Sequence, residues 1–341
     1  MRICIPPPDR EAGGSKTFRA HWRHWLTQQG IDWIENPDAD TYDILFVNAW
    51  QTPYPQVYRH KQRLPQMRVV QRVDGAGKDY GRTDLSDAMQ HAVNSLADFT
   101  IFQSEYSRTS TRESYHVITQ DGPVIYNPVD ADCFTPEGEK LLPQGDKPRF
   151  MTAIWSPNRR KGAWRLPILA RENPDFEFVF IGNAEFENIP ANLVIFEAME
   201  HDELPDMLRS ADVFLNLSEN DPCPNIVIEA MASGLPVLYN PGGGTPELVG
   251  ESGGLPVPVN SAFRPQAQRI LARHAIYQHN ARARVLAHFT PDLIFPRYLE
   301  AIESAQRRAM PSTARHLFSC GQMVRLWVWD KIVNYRDWMP V

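Results

Sequence analysis

Two carboxylates stand out in the stretch S-E-N-D-P-C-P-N-I-V-I-E-A-M-A-S-G-L-P at 218–236: Asp221 and Glu229, with seven residues between them. A Pro-Cys-Pro-Asn turn separates the first acid from a predicted helix running from Ile226 to Ser233. Asn225 reads as its N-cap, Pro222 and Pro224 stiffen its entry, and Gly234 supplies the left-handed residue that ends it. First-turn amides of such a helix have no intrahelical acceptor and carry a partial positive charge. They form an anion site suited to a diphosphate. Glu229, one turn further in, is placed to accept hydrogen bonds from a ribose diol. Asp221, ahead of the turn, is placed to meet a sugar hydroxyl. The plainer alternative is two acids near a helix's positive end for reasons of its dipole alone.

The elements that must position these groups are legible as alternating apolar runs and amphipathic stretches. In the first 130 residues R-I-C-I-P, I-D-W-I-E, D-I-L-F-V-N-A-W, M-R-V-V-Q-R-V-D-G, D-F-T-I-F-Q-S and P-V-I-Y-N-P-V-D read as strands. Helices are predicted from about Thr17 to Gln29 and over L-S-D-A-M-Q-H-A-V-N-S-L. A polar segment rich in Pro and Gly at 135–148 reads as a linker, and the alternation then restarts. R-F-M-T-A-I-W-S, F-E-F-V-F-I-G-N, L-V-I-F-E-A-M, D-V-F-L-N-L-S and L-P-V-L-Y-N are its strands, with helices between them. After Phe263 the pattern turns helical, over 264–286, 291–309 and 312–335. The fold class expected is α/β, with two doubly wound units whose strand ends face a shared cleft. The expected domains are 1–140, together with helices from about 288 to 341 packing back on it, and 146–287.

Composition narrows the field. A chain of 341 residues with 43% apolar content supports two ordinary domains. A net charge of -6 weighs against a nucleic-acid binder, so no nucleic-acid partner is expected. Cys4, Cys133, Cys223 and Cys320 show no metal-ligand spacing and read as reduced thiols of a cytoplasmic protein. The opening M-R-I-C-I-P-P-P is too short for a signal peptide, and no apolar run is long enough to span a membrane.

The 218–237 stretch resembles the signature of family 4 retaining glycosyltransferases, which have the two-domain GT-B fold. Ser218, Glu229, Ala230, Met231, Ala232, Gly234, Pro236 and Val237 match it. The first acid departs from it: the family carries Glu where this chain has Asp221, one methylene shorter. The resemblance extends along nearly the whole chain. P-G-G-G-T-P-E at 241–247 is similar to the family's Gly-Gly-x-x-Glu loop, with Gly243, Gly244 and Glu247 matching and Thr245 between them. W-S-P-N-R-R-K-G at 155–162 matches at Lys161-Gly162, but Ser156 stands where the family's arginine is usual, and Arg159 or Arg160 is left to replace it. In the first half Gly13-Gly14, followed by Ser15, resembles the family's cleft-facing glycine pair. Y-N-P-V-D-A-D-C-F-T-P at 126–136 resembles the entry to the linker, with Pro128 for the usual Gly and with Asn127 and Asp130 in structural roles.

The resemblance implies transfer of a sugar from a nucleoside-diphosphate sugar to a hydroxyl acceptor, with retention at the anomeric carbon. It implies Asp221 and Lys161 at the reacting centre, with Lys161 stabilising the departing diphosphate. Glu229, Asn225, Ile226, Gly243, Gly244, Thr245, Ser218, Arg160 and Asn158 would bind the donor. Gly13, Gly14, Ser15, Arg72 and Asp74 would lie on the acceptor side. Arg72 and Asp74 end a strand in R-V-D-G and are expected at the cleft edge, where Asp74 either orients an acceptor hydroxyl or caps the next segment. The histidines form no metal-like cluster and the resembling family works without a metal, so neither metal nor cofactor is expected. The acceptor stays open between a glycan, a lipid-linked sugar and a small molecule. The alternative function is a non-catalytic nucleotide-sugar-binding homologue or partner subunit. Two readings also stand for the C-terminal stretch with Trp327, Trp329 and Trp338: packing on the first unit, or a peripheral membrane contact on the cytoplasmic face flanked by Arg325, Lys331 and Arg336.

Overall fold

The structure is a computed structural model that describes residues 1–7, 14–81, 84–115, 118, 121–200, 202–258 and 263–307. Gly13 and the Trp-rich C-terminal stretch lie outside the described residues. The chain divides into two compact units: Met1–Ile125 together with the chain from Phe295, and Tyr126–Ile294.

Unit 1 alternates strand and helix: β1 (Arg2–Cys4), α1 (Gly14–Gln28), β2 (Asp32–Ile34), β3 (Ile44–Asn48), α2 (Tyr54–Arg63), β4 (Arg68–Val73), α3 (Asp84–Leu96), β5 (Phe99–Phe102), α4 (Glu105–Tyr115) and β6 (Asp121–Val124). The six strands form one sheet in the order β2-β1-β3-β4-β5-β6, with every pairing parallel. β3, β4 and β5 are buried along their whole length, as strands covered on both faces must be. One face is closed by α1, whose Phe18, Trp22 and Trp25 are buried against Phe46 of β3 and against Phe295 and Tyr298.

Unit 2 carries β7 (Arg149–Ile154), α5 (Leu166–Glu172), β8 (Glu177–Gly182), β9 (Leu193–Phe196), α6 (Leu204–Leu208), β10 (Val213–Asn216), α7 (Asn225–Ala232), β11 (Val237–Tyr239), α8 (Thr245–Val249), β12 (Gly254–Pro256), α9 (Phe263–Leu271) and α10 (His274–His288). Its sheet is also parallel throughout, in the order β12-β11-β10-β7-β8-β9. Counted from β7, this is the doubly wound order in which the chain reverses direction between its first and fourth strands. That switch point lies between β7 and β10, and ligands of such sheets bind outside the strand ends there. Pro167 sits in the first turn of α5, where its missing amide costs nothing.

α11 (Pro291–Arg307) carries the chain on from unit 2, and from Phe295 it belongs to unit 1. The single helix expected over 264–286 is two, α9 and α10, broken at 272–273. The helix expected over 291–309 is described as far as Arg307.

Candidate functional site

The site in unit 2 is assembled from the loops that leave β7, β10 and β11. After β7, Asn158 opens a one-turn helix over Arg159–Lys161, its side chain accepting from the Arg160 amide at 3.0 Å. Gly162 closes it with φ of 81°, and a Cβ there would meet the Leu217 carbonyl oxygen at 2.3 Å. Only glycine meets both demands. The Glu219 amide donates to the Arg160 carbonyl at 2.7 Å, so the β7 loop is stitched to the chain leaving β10.

After β10, Asn220 takes a left-handed conformation with φ of 57°, which asparagine tolerates. Asp221 follows, buried. Lys161 Nζ donates to Asp221 Oδ2 at 2.6 Å, and the Cys223 amide donates to Oδ1 at 3.3 Å. The loop after β11 locks this arrangement from the other side. Gly243 has φ of 84°, and a Cβ on it would lie 2.4 Å from the Asp221 carbonyl oxygen. The Gly244 amide donates to that same oxygen at 2.8 Å. Lys161 and Asp221, 60 positions apart, are thus brought into contact by two glycines that let backbones approach.

α7 begins at Asn225, with Pro224 at the N-cap position and no capping side chain. The reading of Asn225 as N-cap is corrected here: Pro224 takes the extended conformation and Asn225 is already helical, so its side chain turns instead to accept from Asn127 Nδ2 at 2.6 Å. Ile226 packs against the core, and Glu229 is buried one turn further in. The far ends of the two short helices are anchored from α10. Arg282 donates to the carbonyl of Ala232 at the end of α7 at 2.8 Å, and Arg284 to the carbonyls of Glu247 and Leu248 in α8, both at 2.6 Å. A guanidinium there satisfies terminal carbonyls and complements the helix dipole.

Other predicted donor-binding groups have internal roles. Thr245 is fully buried and accepts from Asn216 Nδ2 at 2.7 Å. Ser218 is buried, with its amide on Asn216 Oδ1 at 3.4 Å. Glu247 accepts from the Tyr126 hydroxyl at 3.1 Å. Of the two arginines offered for the missing cation, Arg159 lies over the Trp164 ring at 4.8 Å. Sequence reasoning passed over Arg165, which is buried near Glu219; burial pushes its guanidinium below its ordinary pKa.

In unit 1 the structure corrects the expectation for Arg72. It does not stand at an open edge but is 2% exposed, donating through Nε to the Tyr298 hydroxyl at 3.0 Å and through Nη2 to Gln103 at 2.8 Å, and stacking over Phe18. A fully charged guanidinium is tolerated inside because each side of its fork meets an acceptor. One of these is Asp74, whose Oδ1 accepts from Arg72 at 2.9 Å and from Gln103 Nε2 at 2.9 Å. Asp74 stays a third exposed, and Asp87 accepts from the amides of Gly77 and Lys78 in the segment that follows. Gly14 starts α1, and Ser15 accepts from Gln51 Nε2 at 2.7 Å. Among the described residues no group of acids, histidines and cysteines is arranged to hold a metal ion, and no helix is long and apolar enough to cross a membrane.

Two parallel six-stranded sheets with flanking helices, and a polar site at the switch point of the second, define the GT-B fold of glycosyltransferases. Residues 163–273 match the family model described as glycosyl transferases group 1. Anabaena HepE in complex with UDP-glucose superposes with a TM-score of 0.69 at 15% identity, over 89% of this chain and 100% of that one. Among curated relatives, spore coat protein SA of Bacillus subtilis is 32% identical over 103 residues, covering 25% of this chain and 27% of that protein. Sulfoquinovosyl transferase SQD2 of Arabidopsis thaliana is 35% identical over 86 residues, covering 23% of this chain and 16% of that protein. The match thus spans about a quarter or less of either relative's length.

Proposed function

We propose that this protein is a retaining glycosyltransferase of family 4 type that moves a sugar from a nucleoside-diphosphate sugar to a hydroxyl acceptor. The observation that carries this reading is the contact of Lys161 with Asp221 beside the start of α7, with Glu229 one turn inside that helix. A diphosphate at the α7 N-terminus meets helix amides and the Lys161 ammonium, and these same groups stabilise the charge that develops as it leaves. Glu229 takes the ribose hydroxyls. Asp221 exchanges Lys161 for the diphosphate's partner, the sugar, and meets its hydroxyls. Unit 1 binds the acceptor through the loops around Gly14, Ser15 and Asp74. The leaving phosphate takes the acceptor proton on the same face, so no general base is required of the protein and no metal or cofactor enters. The likeness to a structure holding UDP-glucose makes uridine diphosphate sugars the first donors to try.

The test is calorimetry with UDP, ADP and GDP against the wild type and Glu229→Ala. One nucleotide should bind the wild type, and the variant should lose at least tenfold, about 1.4 kcal/mol. Equal affinities would remove Glu229 from the site.

One observation favours a second reading, a binding homologue without turnover: the Asp221 carboxylate is held by both Lys161 and the Cys223 amide. Donor hydrolysis in water separates the two, since a pure binder releases no sugar. A cytoplasmic location with a peripheral membrane contact through the C-terminal Trp-rich stretch belongs to the same proposal, and flotation with anionic vesicles tests it.

A further inference from the structure

Helix α10 is apolar on both sides. Its inner face, with Tyr277, Ala281 and Val285, is buried in unit 2. Its outer face carries Ala275, Ile276, His279, Ala283, Leu286 and Ala287, all exposed, Ile276 by 60% and Leu286 by 47%. A surface helix ordinarily turns charged groups outward, and one that is apolar all round is covered all round. The charge that α10 does carry is withdrawn from this face. Between His274 and His288 there is no acid, and the two arginines are spent inside. Arg282 donates to the carbonyls of Ala131, Phe134 and Ala232, and Arg284 to those of Glu247 and Leu248.

The order of the residues says what covers the face. α10 reads H-A-I-Y-Q-H-N-A-R-A-R-V-L-A-H, opening on His-Ala-Ile and closing on Leu-Ala-His, and Ala281 is its midpoint. The outer residues are placed evenly about that midpoint: Ala275 and Ala287 six positions away, Ile276 and Leu286 five, His279 and Ala283 two. Two copies of this helix, laid antiparallel about a two-fold axis at the midpoint, set each residue on its counterpart. Ile276 of one copy meets Leu286 of the other, His279 meets Ala283, and Ala275 meets Ala287. That is the isologous contact of a two-fold dimer. Ile276, His279, Ala283 and Leu286 also follow one another at steps of three, four and three, the spacing of a seam between two helices. Small alanines beside the seam let the two axes come close. An unrelated partner would require no such symmetry.

We propose that α10 pairs antiparallel with α10 of a second copy, so that this protein is a homodimer. A helix of 15 residues is about 22 Å long. One such pair buries less than the roughly 1,200–2,000 Å² of a standard interface, so the dimer is weak and exchanges with monomer. The carbonyls that α10 holds on its inner side belong to the far ends of α7 and α8, and a copy on its outer side leaves the start of α7 open.

Sedimentation equilibrium of the full chain from about 5 to 500 µM, the range of weak dimers, tests the pairing. The mass should rise with concentration from one chain toward two and stop there. Ile276→Glu or Leu286→Glu, each at an exposed position, should raise the dissociation constant tenfold or more. Two double variants read the direction of the helices. Ile276→Glu with Leu286→Lys brings opposite charges together across the axis, whereas Ile276→Glu with Leu286→Glu brings like charges together. Both lose the same apolar contact, so the first should dimerise severalfold more tightly than the second, and added salt should narrow the difference. Melting curves confirm that each variant is folded, and Ala283→Lys serves if a single variant is not. A monomer throughout the range would overturn the proposal and leave the face to a different protein. A mass that climbs past two chains, undiminished association of a folded single variant, or equal association of the two double variants would overturn it as well.

Discussion

Asp221 is held by three contacts: Lys161 on one oxygen, the Cys223 amide on the other, and the Gly243–Gly244 backbone against its own. Its charge therefore has two consequences of opposite sign. It orients Lys161, and under the proposed function it would also oppose a diphosphate arriving at the same ammonium. Asp221→Asn keeps the shape and removes the charge. Nucleoside diphosphate affinity should rise severalfold while transfer or donor hydrolysis falls by about two orders of magnitude, roughly 2.7 kcal/mol of transition-state stabilisation. A parallel loss of binding and turnover would mean that Asp221 serves only to hold Lys161. The type and spacing of Asp221, Lys161 and Glu229 were readable in the sequence. The pairing of the first two was not, because it depends on the backbone approach that Gly162 and Gly243 permit.

At the scale of elements, the close approach of the β10 and β11 loops hangs on a single hydrogen atom. Gly243→Ala adds a Cβ 2.7 Å from the Asp221 amide nitrogen, at a φ of 84° that alanine resists. Urea denaturation should show a loss of about 1–3 kcal/mol, and the nucleotide affinity should fall with it. The buried strands were legible as continuous apolar runs, which parallel sheets require. α2 and α4 have no apolar stripe to announce them. α2 buries His60 and Lys61 beside Tyr54 and Val57, and the Lys61 ammonium is matched by Asp98 at 2.7 Å. α4 buries Ser107, Ser110 and Thr111, each satisfied through its hydroxyl: Ser107 donates to the Val73 carbonyl, Thr111 to the Ser107 carbonyl, and Ser110 accepts from the Ala76 amide. Polar faces that pack because their partners are local in space, not in sequence, escape periodicity.

For the whole molecule, the two units predict an uneven response to ligand. A nucleoside diphosphate at a hundred times its Kd should stabilise the unit that binds it by about 2.7 kcal/mol. Amide exchange should slow over 155–162, 218–229 and 241–247 of unit 2, with the sheet of unit 1 unchanged; protection centred on β1, β3 and β4 would place the nucleotide on the wrong unit. Stability should also depend on acidity through unit 1. His60 is almost fully buried, and burial pushes its pKa below the ordinary 6.5. Below that pH the unfolded chain takes up a proton that the folded one refuses, so stability falls as pH drops from about 6.5. His60→Phe, which does not titrate, should flatten this acid limb in melts between about pH 7.5 and 5.

The ion pair between Lys161 and Asp221 also acts as a filter on what the cell offers the site. An unshielded lysine at a helix start would be occupied by inorganic phosphate, chloride and other plentiful small anions. Here each of them must compete with a carboxylate that is already in place and carries no cost of association. An ion with one or two charges and no further contacts gains little by displacing it. Under the proposed function, a nucleoside diphosphate would bring more charge and its own hold on Glu229, and so would displace it. A donor site of this kind would reject common anions without needing any shape that excludes them.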